Sequence, residues 1–317
     1  MVDFIDSYFN DYLCPWISGD FIIIKIFQQL KESRTIMNIN FSIEEAVEKR
    51  VSVRNYSAQP IEEEKRAMLD EFIRQMDNPF NQKVNFHFFD MDKSSEDQKL
   101  GTYGVIQKAK HYLGASIKPV PFALEAVGYE LETVMLYLAH LDIGTCWLGG
   151  TFDRKGFAQA LNVGDDEILP AITPFGYAQT SRHLQEIVMR TFVQAHKRLE
   201  WNKLFFFNDF QTPLTKETAG HFVFPLEMVR LAPSASNKQP WRIVLKDGNI
   251  HFYEYKTPGY SDVFAYDIQR IDMGIAAAHF EHAIKKIGKS GNFVLDADPK
   301  ISLPEHVEYV FSWVTKD

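Results

Sequence analysis

Apolar positions recur at helical and strand spacings along most of the chain, and their order repeats. In "SIEEAVEK", residues 42–49, Ser42 stands as an N-cap with Glu45 at the capping-box position, which predicts a short helix. Past Pro60, the positions Ile61, Met68, Leu69, Phe72 and Met76 fall roughly on one face and predict a helix over 61–76. "VNFHFFD" (84–90) alternates Val84, Phe86 and Phe88 and predicts a strand. Leu131, Val134, Met135, Leu138 and Leu141 mark a long helix within 120–141. "IGTCWLGG" (143–150) reads as a short strand or extended loop, "FDRKGFAQAL" (152–161) as a helix capped by Asp153. "EILPAITPFGYA" (167–178) reads as a buried strand leaving the core at Gly176.

A link of low propensity follows near "FFFNDFQTPLT" (205–215), and the pattern starts again. A helix is predicted over 215–230 and a hairpin over 242–255, turned at Asp247–Gly248. A helix over 271–287 carries Met273, Ala277, Phe280, Ile284 and Ile287 on one stripe. The final strand, 305–314, alternates Val307, Tyr309, Phe311 and Trp313. Helix, polar loop, strand, long helix, strand thus occurs twice, offset by about 150 residues. Residues 61–90 match 215–247 in order of elements and hardly in identity. The expectation is two related α+β halves.

Composition narrows the partners. The chain has 317 residues, 45% of them hydrophobic and 24% charged, enough to bury a full core. A net charge of −8 without a lysine-rich run argues against nucleic acid and anionic membranes. Cys14 and Cys146 are the only cysteines, so neither a disulfide framework nor a clustered Cys metal site can be built, which suits a reducing cytoplasm. The apolar run Phe21–Ile24 stops at Lys25, far short of the ~20 residues of a span. Asp3 and Asp6 stand where a signal peptide is positive. Residues 1–36 read as an extension or a misplaced start, with Met37 opening a self-sufficient unit.

Three stretches carry candidate chemistry. In "KRVSVRNYSAQP" (49–60), Arg50, Ser52 and Arg54 project to one side of an extended segment, and two guanidiniums with a hydroxyl can grip a phosphate and a carbonyl. A solvated basic edge would look the same. In "LAPSASNKQPW" (231–241), Ser234, Ser236, Asn237 and Gln239 offer donors and acceptors in a turn able to read a heteroatom-rich ring edge; an ordinary polar connection is the alternative. In "GTCWLGG" followed by "FD" (144–153), small residues let backbone N–H groups approach a ligand closely.

The ordered combination R-x-S-x-R, G-T-C-W-L-G-G-T-F-D, P-F-G-Y-A and P-S-A-S-N-K-Q-P-W resembles the nitroreductase family of FMN-dependent oxidoreductases. "AHKRLEWNKLFF" (195–206) before "PLEMVRLAPSASNKQPWR" (225–242) resembles its fused, pseudo-dimeric branch; the match runs from Phe41 to the C-terminus. In that family one subunit supplies R-x-S-x-[RK] and the other the P-S-S-x-N-x-Q-P-W loop. Here the first lies in one half and the second in the other. "DNPFNQKVNF" stands where the first half's own loop should be, and the second half has no R-x-S-x-R. The resemblance therefore implies two tandem nitroreductase-like halves, 37–204 and a shorter 205–317, forming an intramolecular pseudo-dimer with one flavin site, the chain acting as a monomer.

Roles follow from the resemblance. Arg50 and Ser52 would hold the phosphate and ribityl end of FMN, and Arg54 the pyrimidine edge, where reduction builds negative charge. Leu148, Gly149 and Gly150 would line the ring, one N–H bonding N5. Pro233, Ser234, Ala235 and Asn237 would close the opposite edge, and Lys197 and Arg198 match the late basic pair that completes the phosphate site. Ala235 replaces a usual serine, and the adjacency of Lys197 and Arg198 leaves open which of them reaches the phosphate. The implied activity is ping-pong hydride transfer from NADH or NADPH through flavin N5 to a small-molecule acceptor, a nitroaromatic, quinone or similar conjugated compound. The rival is a flavin-binding module without turnover, a carrier or redox sensor. His279 and His282, flanking Glu281, are expected on a solvated helix face rather than at a metal. Cys146 is expected to be a buried small residue rather than a nucleophile. No G-x-G-x-x-G follows a strand, so a nicotinamide would visit the flavin and have no Rossmann domain of its own.

Overall fold

Two β-sheets of matching strand order, each with one long helix, position everything that follows. The computed structural model describes residues 40–91, 100–179 and 197–316. Cys14 and the expected extension over 1–36 lie outside the described residues.

The first half begins with α1 (Ile43–Lys49), where Ser42 accepts from the Glu45 N–H as an N-cap. Then come α2 (Glu63–Arg74), β1 (Asn85–Asp90), β2 (His111–Ile117), α3 (Ala123–His140), β3 (Gly144–Thr145), α4 (Arg154–Ala160) and β4 (Ile168–Gly176). Asp153 caps α4 by accepting from the Gly156 N–H at 3.1 Å. These strands form an antiparallel sheet in the order β1-β2-β4-β3.

The second half holds α5 (Trp201–Leu204), β5 (Phe205–Phe207), α6 (Lys216–Ala219), α7 (Val223–Leu231), β6 (Trp241–Lys246), β7 (Asn249–Tyr255), α8 (Gln269–Lys286), β8 (Gly291–Val294) and β9 (Val307–Thr315). Its sheet runs β5-β6-β7-β9-β8. β6-β7-β9-β8 repeats the order of the first sheet, hairpin first and last strand inserted, and β5 adds parallel to β6 at the edge. The hairpin turns at Asp247 (φ 50°) and Gly248 (φ 75°), the left-handed pair that a two-residue turn requires.

α3 and α8 each span 18 residues and are buried nearly throughout, so neither shows a strong apolar stripe. Each packs on its own sheet and on the other helix. Their closest approach is at Gly128 and Gly274. A Cβ on Gly128 would collide with the Ile271 carbonyl, and one on Gly274 with the Glu125 carbonyl. The relation is reciprocal: each glycine faces the carbonyl three residues before the other.

Several expectations change here. The stretch 205–207, expected as a link, is strand β5, because Phe205 is buried and pairs beside Ile243. The helix expected over 215–230 is interrupted at Gly220, whose φ of 55° and ψ of −126° are not helical; a 3-10 turn, Gly220–Phe222, separates α6 from α7. Strand β2 was not expected at all. On β1 it is Phe89 that is buried, while Phe86 and Phe88 are half-buried. Met68 and Ile287, expected on apolar faces, are 41% and 37% exposed. His279, Glu281 and His282 are buried rather than solvated, because the face of α8 that carries them packs on α3 and α7.

Candidate functional site

Arg50 is where α1 ends, its backbone turning extended at ψ 108°. The chain then runs beside β3: Ser52 bridges Thr145 in parallel, and the Val53 N–H donates to the Thr145 carbonyl at 2.8 Å. That pairing lays R-x-S-x-R against G-T-C-W. Arg50 is buried, with Nε 3.7 Å from a Glu132 carboxylate oxygen. Its Nη1 is buried and has no partner among the described residues. Ser52 and Arg54 are exposed. All three converge on Cys146: burial pushes its thiol pKa up, while Arg54, Ser52 and Arg50 pull it down. Cys146 is buried, as expected of a small packing residue.

Leu148 is tied into the first sheet, its N–H and carbonyl both exchanged with Ile172 at 3.0 Å. Its N–H is therefore spent, and a backbone donor to a ring must come from Gly149 or Gly150. Both glycines meet the second half. A Cβ on Gly149 would press on Ile268 at 3.0 Å, and one on Gly150 on Phe264 at 3.3 Å. Arg154 donates to the Gly149 carbonyl and lies over the rings of Phe152, Phe264 and Tyr266.

The loop Pro233–Gln239 is held in an uncommon backbone path, with φ of 50° at Ser236, 54° at Asn237 and 50° at Gln239. Hydrogen bonds fix it. Gln239 N–H donates to Ser234 Oγ at 2.8 Å, and Ala235 N–H to Asp272 Oδ1 at 3.0 Å. The Leu199 N–H donates to Gln239 Oε1 at 2.8 Å, and Asn237 Nδ2 to the Lys197 carbonyl at 3.0 Å. Arg198 donates to Asn237 Oδ1 at 3.1 Å and to the Leu231 carbonyl at 2.8 Å. Of the adjacent basic pair, Lys197 faces solvent and Arg198 turns inward. Burial pushes the Arg198 pKa down to about 10, and the Arg50 charge adds to that.

Arg50 and Arg198 thus lie near enough for their charges to repel in a partly dry place, and Arg50 has a spare buried N–H. That arrangement calls for an anion. Sequence reasoning singled out these residues but missed the groups that fix them: Glu132, Trp147, Asp272 and His279. The one available signal was a carboxylate inside an apolar run, Glu132 in "LETVMLYLA". Among the described residues no cluster of His, Cys, Asp and Glu could hold a metal, and no helix is long and apolar enough to cross a membrane.

The family model described as "Putative TM nitroreductase" matches residues 42–284. A structure described as "a putative nitroreductase" from Thermotoga maritima msb8 is 19% identical, covers 89% of this chain and 97% of its own, and superposes with a TM-score of 0.55. At that identity the likeness is one of fold. A nitroreductase family protein from Clostridium novyi NT is 18% identical and covers 44% of this chain and 86% of its own, with a TM-score of 0.37. A nitroreductase with bound FMN from Bacteroides fragilis NCTC 9343 is 18% identical, covering 44% and 90%, with a TM-score of 0.35. No curated protein matches the chain.

Proposed function

The chain belongs to the nitroreductase family described as "Putative TM nitroreductase", with an α+β fold, and from that premise we propose that it is an FMN-dependent NAD(P)H oxidoreductase built as an intramolecular pseudo-dimer. The observation that carries this reading is the buried, unpartnered Arg50 Nη1, whose cation bears on Arg198, itself bonded to Asn237 of the strained loop Pro233–Gln239. A phosphate monoester fits that place, since its charge satisfies both guanidiniums.

On this reading Arg50, Ser52 and Arg198 hold the phosphate and ribityl end, and Lys197 contributes charge from the rim. Arg54 stands at the pyrimidine edge, where its cation favours the added negative charge of reduction. Leu148, Gly149 and Gly150 line the ring, with the N–H of one of the two glycines as donor. Pro233, Ser234, Ala235 and Asn237 close the other edge. FMN, when bound, supplies hydride acceptance and donation at N5; the protein supplies position and electrostatics. The donor is NADH or NADPH, and the acceptor a nitroaromatic, quinone or similar conjugated electrophile.

Support for the pseudo-dimer, with halves at 37–204 and 205–317, comes from the repeated strand order and the reciprocal glycine contact of α3 and α8. The arm at 197–199, clamped by Asn237 and Gln239, leads into β5 on the second sheet.

The test is optical. Full-length protein loaded with FMN should be yellow, bleach under NADH or NADPH without oxygen, and regain colour with menadione. Yellow protein inert to both nicotinamides would instead be a flavin-binding module, and protein that retains no flavin would sink both readings.

A further inference from the structure

Glu132 lies on α3 without any exposure, and two hydrogen-bonding groups and a guanidinium from three separate stretches surround its carboxylate. Trp147 Nε1 donates to Oε2 at 2.7 Å, His279 Nε2 lies 2.9 Å from Oε1, and Arg50 Nε is 3.7 Å from Oε1. Arg50 opens the R-x-S-x-R stretch, Trp147 precedes the ring-lining Leu148, and His279 comes from α8 in the other half. A buried carboxylate is costly unless paired, so this convergence fixes all three partners.

The second nitrogen of His279 also has an acceptor. Nδ1 lies 3.0 Å from the Met228 carbonyl. The Met228 carbonyl only accepts, and beside an ionised Glu132, which also only accepts, both ring nitrogens carry hydrogen and the ring is an imidazolium. His282, three residues on, differs. Thr133 Oγ1 spends its hydrogen on the Tyr129 carbonyl at 2.8 Å, so His282 Nε2, 2.9 Å from that hydroxyl, is the donor. Its Nδ1 is buried without a partner, and burial pushes its pKa far down. What separates the two histidines is Glu132.

We propose that Glu132, held by the His279 imidazolium, is the positioning residue that aims Arg50 at the flavin phosphate and anchors Trp147 beside the ring-lining glycines. This rests on the flavin reading above. A guanidinium is a rigid planar fork, so a carboxylate engaging Nε turns the Nη edge the other way. That edge carries the buried, unpartnered Nη1. Charge alone would give the opposite expectation, since removing an anion near a phosphate site should tighten phosphate binding. In Glu132→Gln, however, His279 loses the counter-charge that keeps its second hydrogen. One negative and one positive charge go together, and the loss of orientation remains.

Two measurements test this on the full chain. In protein labelled with ¹⁵N-histidine and free of flavin, both His279 ring nitrogens should show protonated shifts at neutral pH; the shift pair of a neutral ring overturns the proposal. The His279 signal is assigned by its loss in His279→Gln. Dissociation constants are then compared for FMN and riboflavin, which lacks the phosphate. Glu132→Gln should weaken FMN binding about tenfold, equivalent to ~1.4 kcal/mol, and leave riboflavin nearly unchanged. Glu132→Asp should recover part of the loss. His279→Gln leaves Glu132 unbalanced and should show the same phosphate-selective loss, which covers the case of a Glu132→Gln protein that does not fold. FMN bound as tightly as in the wild type, or equal losses for both ligands, would overturn the role. A wild-type chain that binds neither ligand sinks the flavin reading and this role with it, whatever the histidine shifts show.

Discussion

Asp272 shows at the scale of one residue how the site constrains the chain around it. Its Oδ1 accepts the Ala235 N–H that pins the strained loop, while Oδ2 is buried with no partner among the described residues. Burial, offset by the Ala235 hydrogen bond and reinforced by Asp267 and Glu132, pushes its pKa up to about 8. The folded value therefore lies above the ~3.9 of an exposed aspartate. Stability from such a group is fully present below the unfolded pKa and is lost as pH rises through the folded one. Asp272→Asn keeps an acceptor for Ala235 and removes the ionisation. Its stability relative to wild type should grow as pH rises from about 4 towards 8, then level off. Denaturant titrations of both proteins at pH 5 and pH 8.5 read the difference, which should change by at least about 1.4 kcal/mol, the worth of one pKa unit. Parallel profiles would mean that Asp272 is ionised in the folded protein throughout.

At the scale of elements, the crossing of α3 and α8 carries the architecture, and two glycines permit it. Helix propensity alone favours alanine over glycine by about 1 kcal/mol. At Gly274 the Cβ would meet the Glu125 carbonyl, which is backbone and cannot swing away. Overpacking of this kind costs typically ~1–3 kcal/mol, before the helix pair shifts and disturbs Asp272 two residues away. Gly274→Ala should therefore destabilise the protein in chemical denaturation, against the propensity trend; a gain in stability would show that the crossing is looser than described. The two long helices and the Asp247–Gly248 hairpin were legible in the sequence, because helical periodicity and a turn dipeptide are local signals. Strand β2, "HYLGASI", was not, since Gly114, Ala115 and Ser116 have little strand propensity and owe their place to β1 and β4 on either side. Strand β5 was missed for a similar reason: pairing with β6 is a long-range event. R-x-S-x-R and G-T-C-W were singled out by residue type, and the fold lays one beside the other. The partners that orient them, Glu132 and His279, were not, because their meaning arises only when α3 meets α8. A His-x-x-His pair reads as a solvated face until the facing helix is known.

At the scale of the whole molecule, the matching sheets raise the question of how many flavins one chain would hold on the proposed reading. The first half presents Arg50, Ser52 and Arg54 alongside β3, and Arg198, whose charge bears on Arg50, holds Asn237 of the hydroxyl- and amide-rich loop. By strand order β8 is the counterpart of β3, and residues 77–83 are the counterpart of that loop. There the chemistry is different. Phe80, 1% exposed, packs its ring on Phe293 of β8 at 6.1 Å, on Phe311 of β9 at 5.3 Å and on Phe122 at 6.1 Å. Asn78 turns its amide to Glu130 and to the Gln82 carbonyl. Phenyl rings fill this place, and burial pushes the Glu130 pKa up to about 8, which marks it as apolar and poor at accepting a phosphate. A second flavin would need to displace a closed aromatic cluster, at roughly 1.5–3 kcal/mol for each large side chain exposed. The fully loaded protein should therefore release one FMN per chain on denaturation, measured by flavin absorbance against chain concentration from amino-acid analysis. A ratio near two would mean that the aromatic cluster opens to a ligand and that the halves are functionally alike. Phe80→Ala removes the central ring of the cluster without adding any phosphate-binding cation, so its ratio should also stay at one.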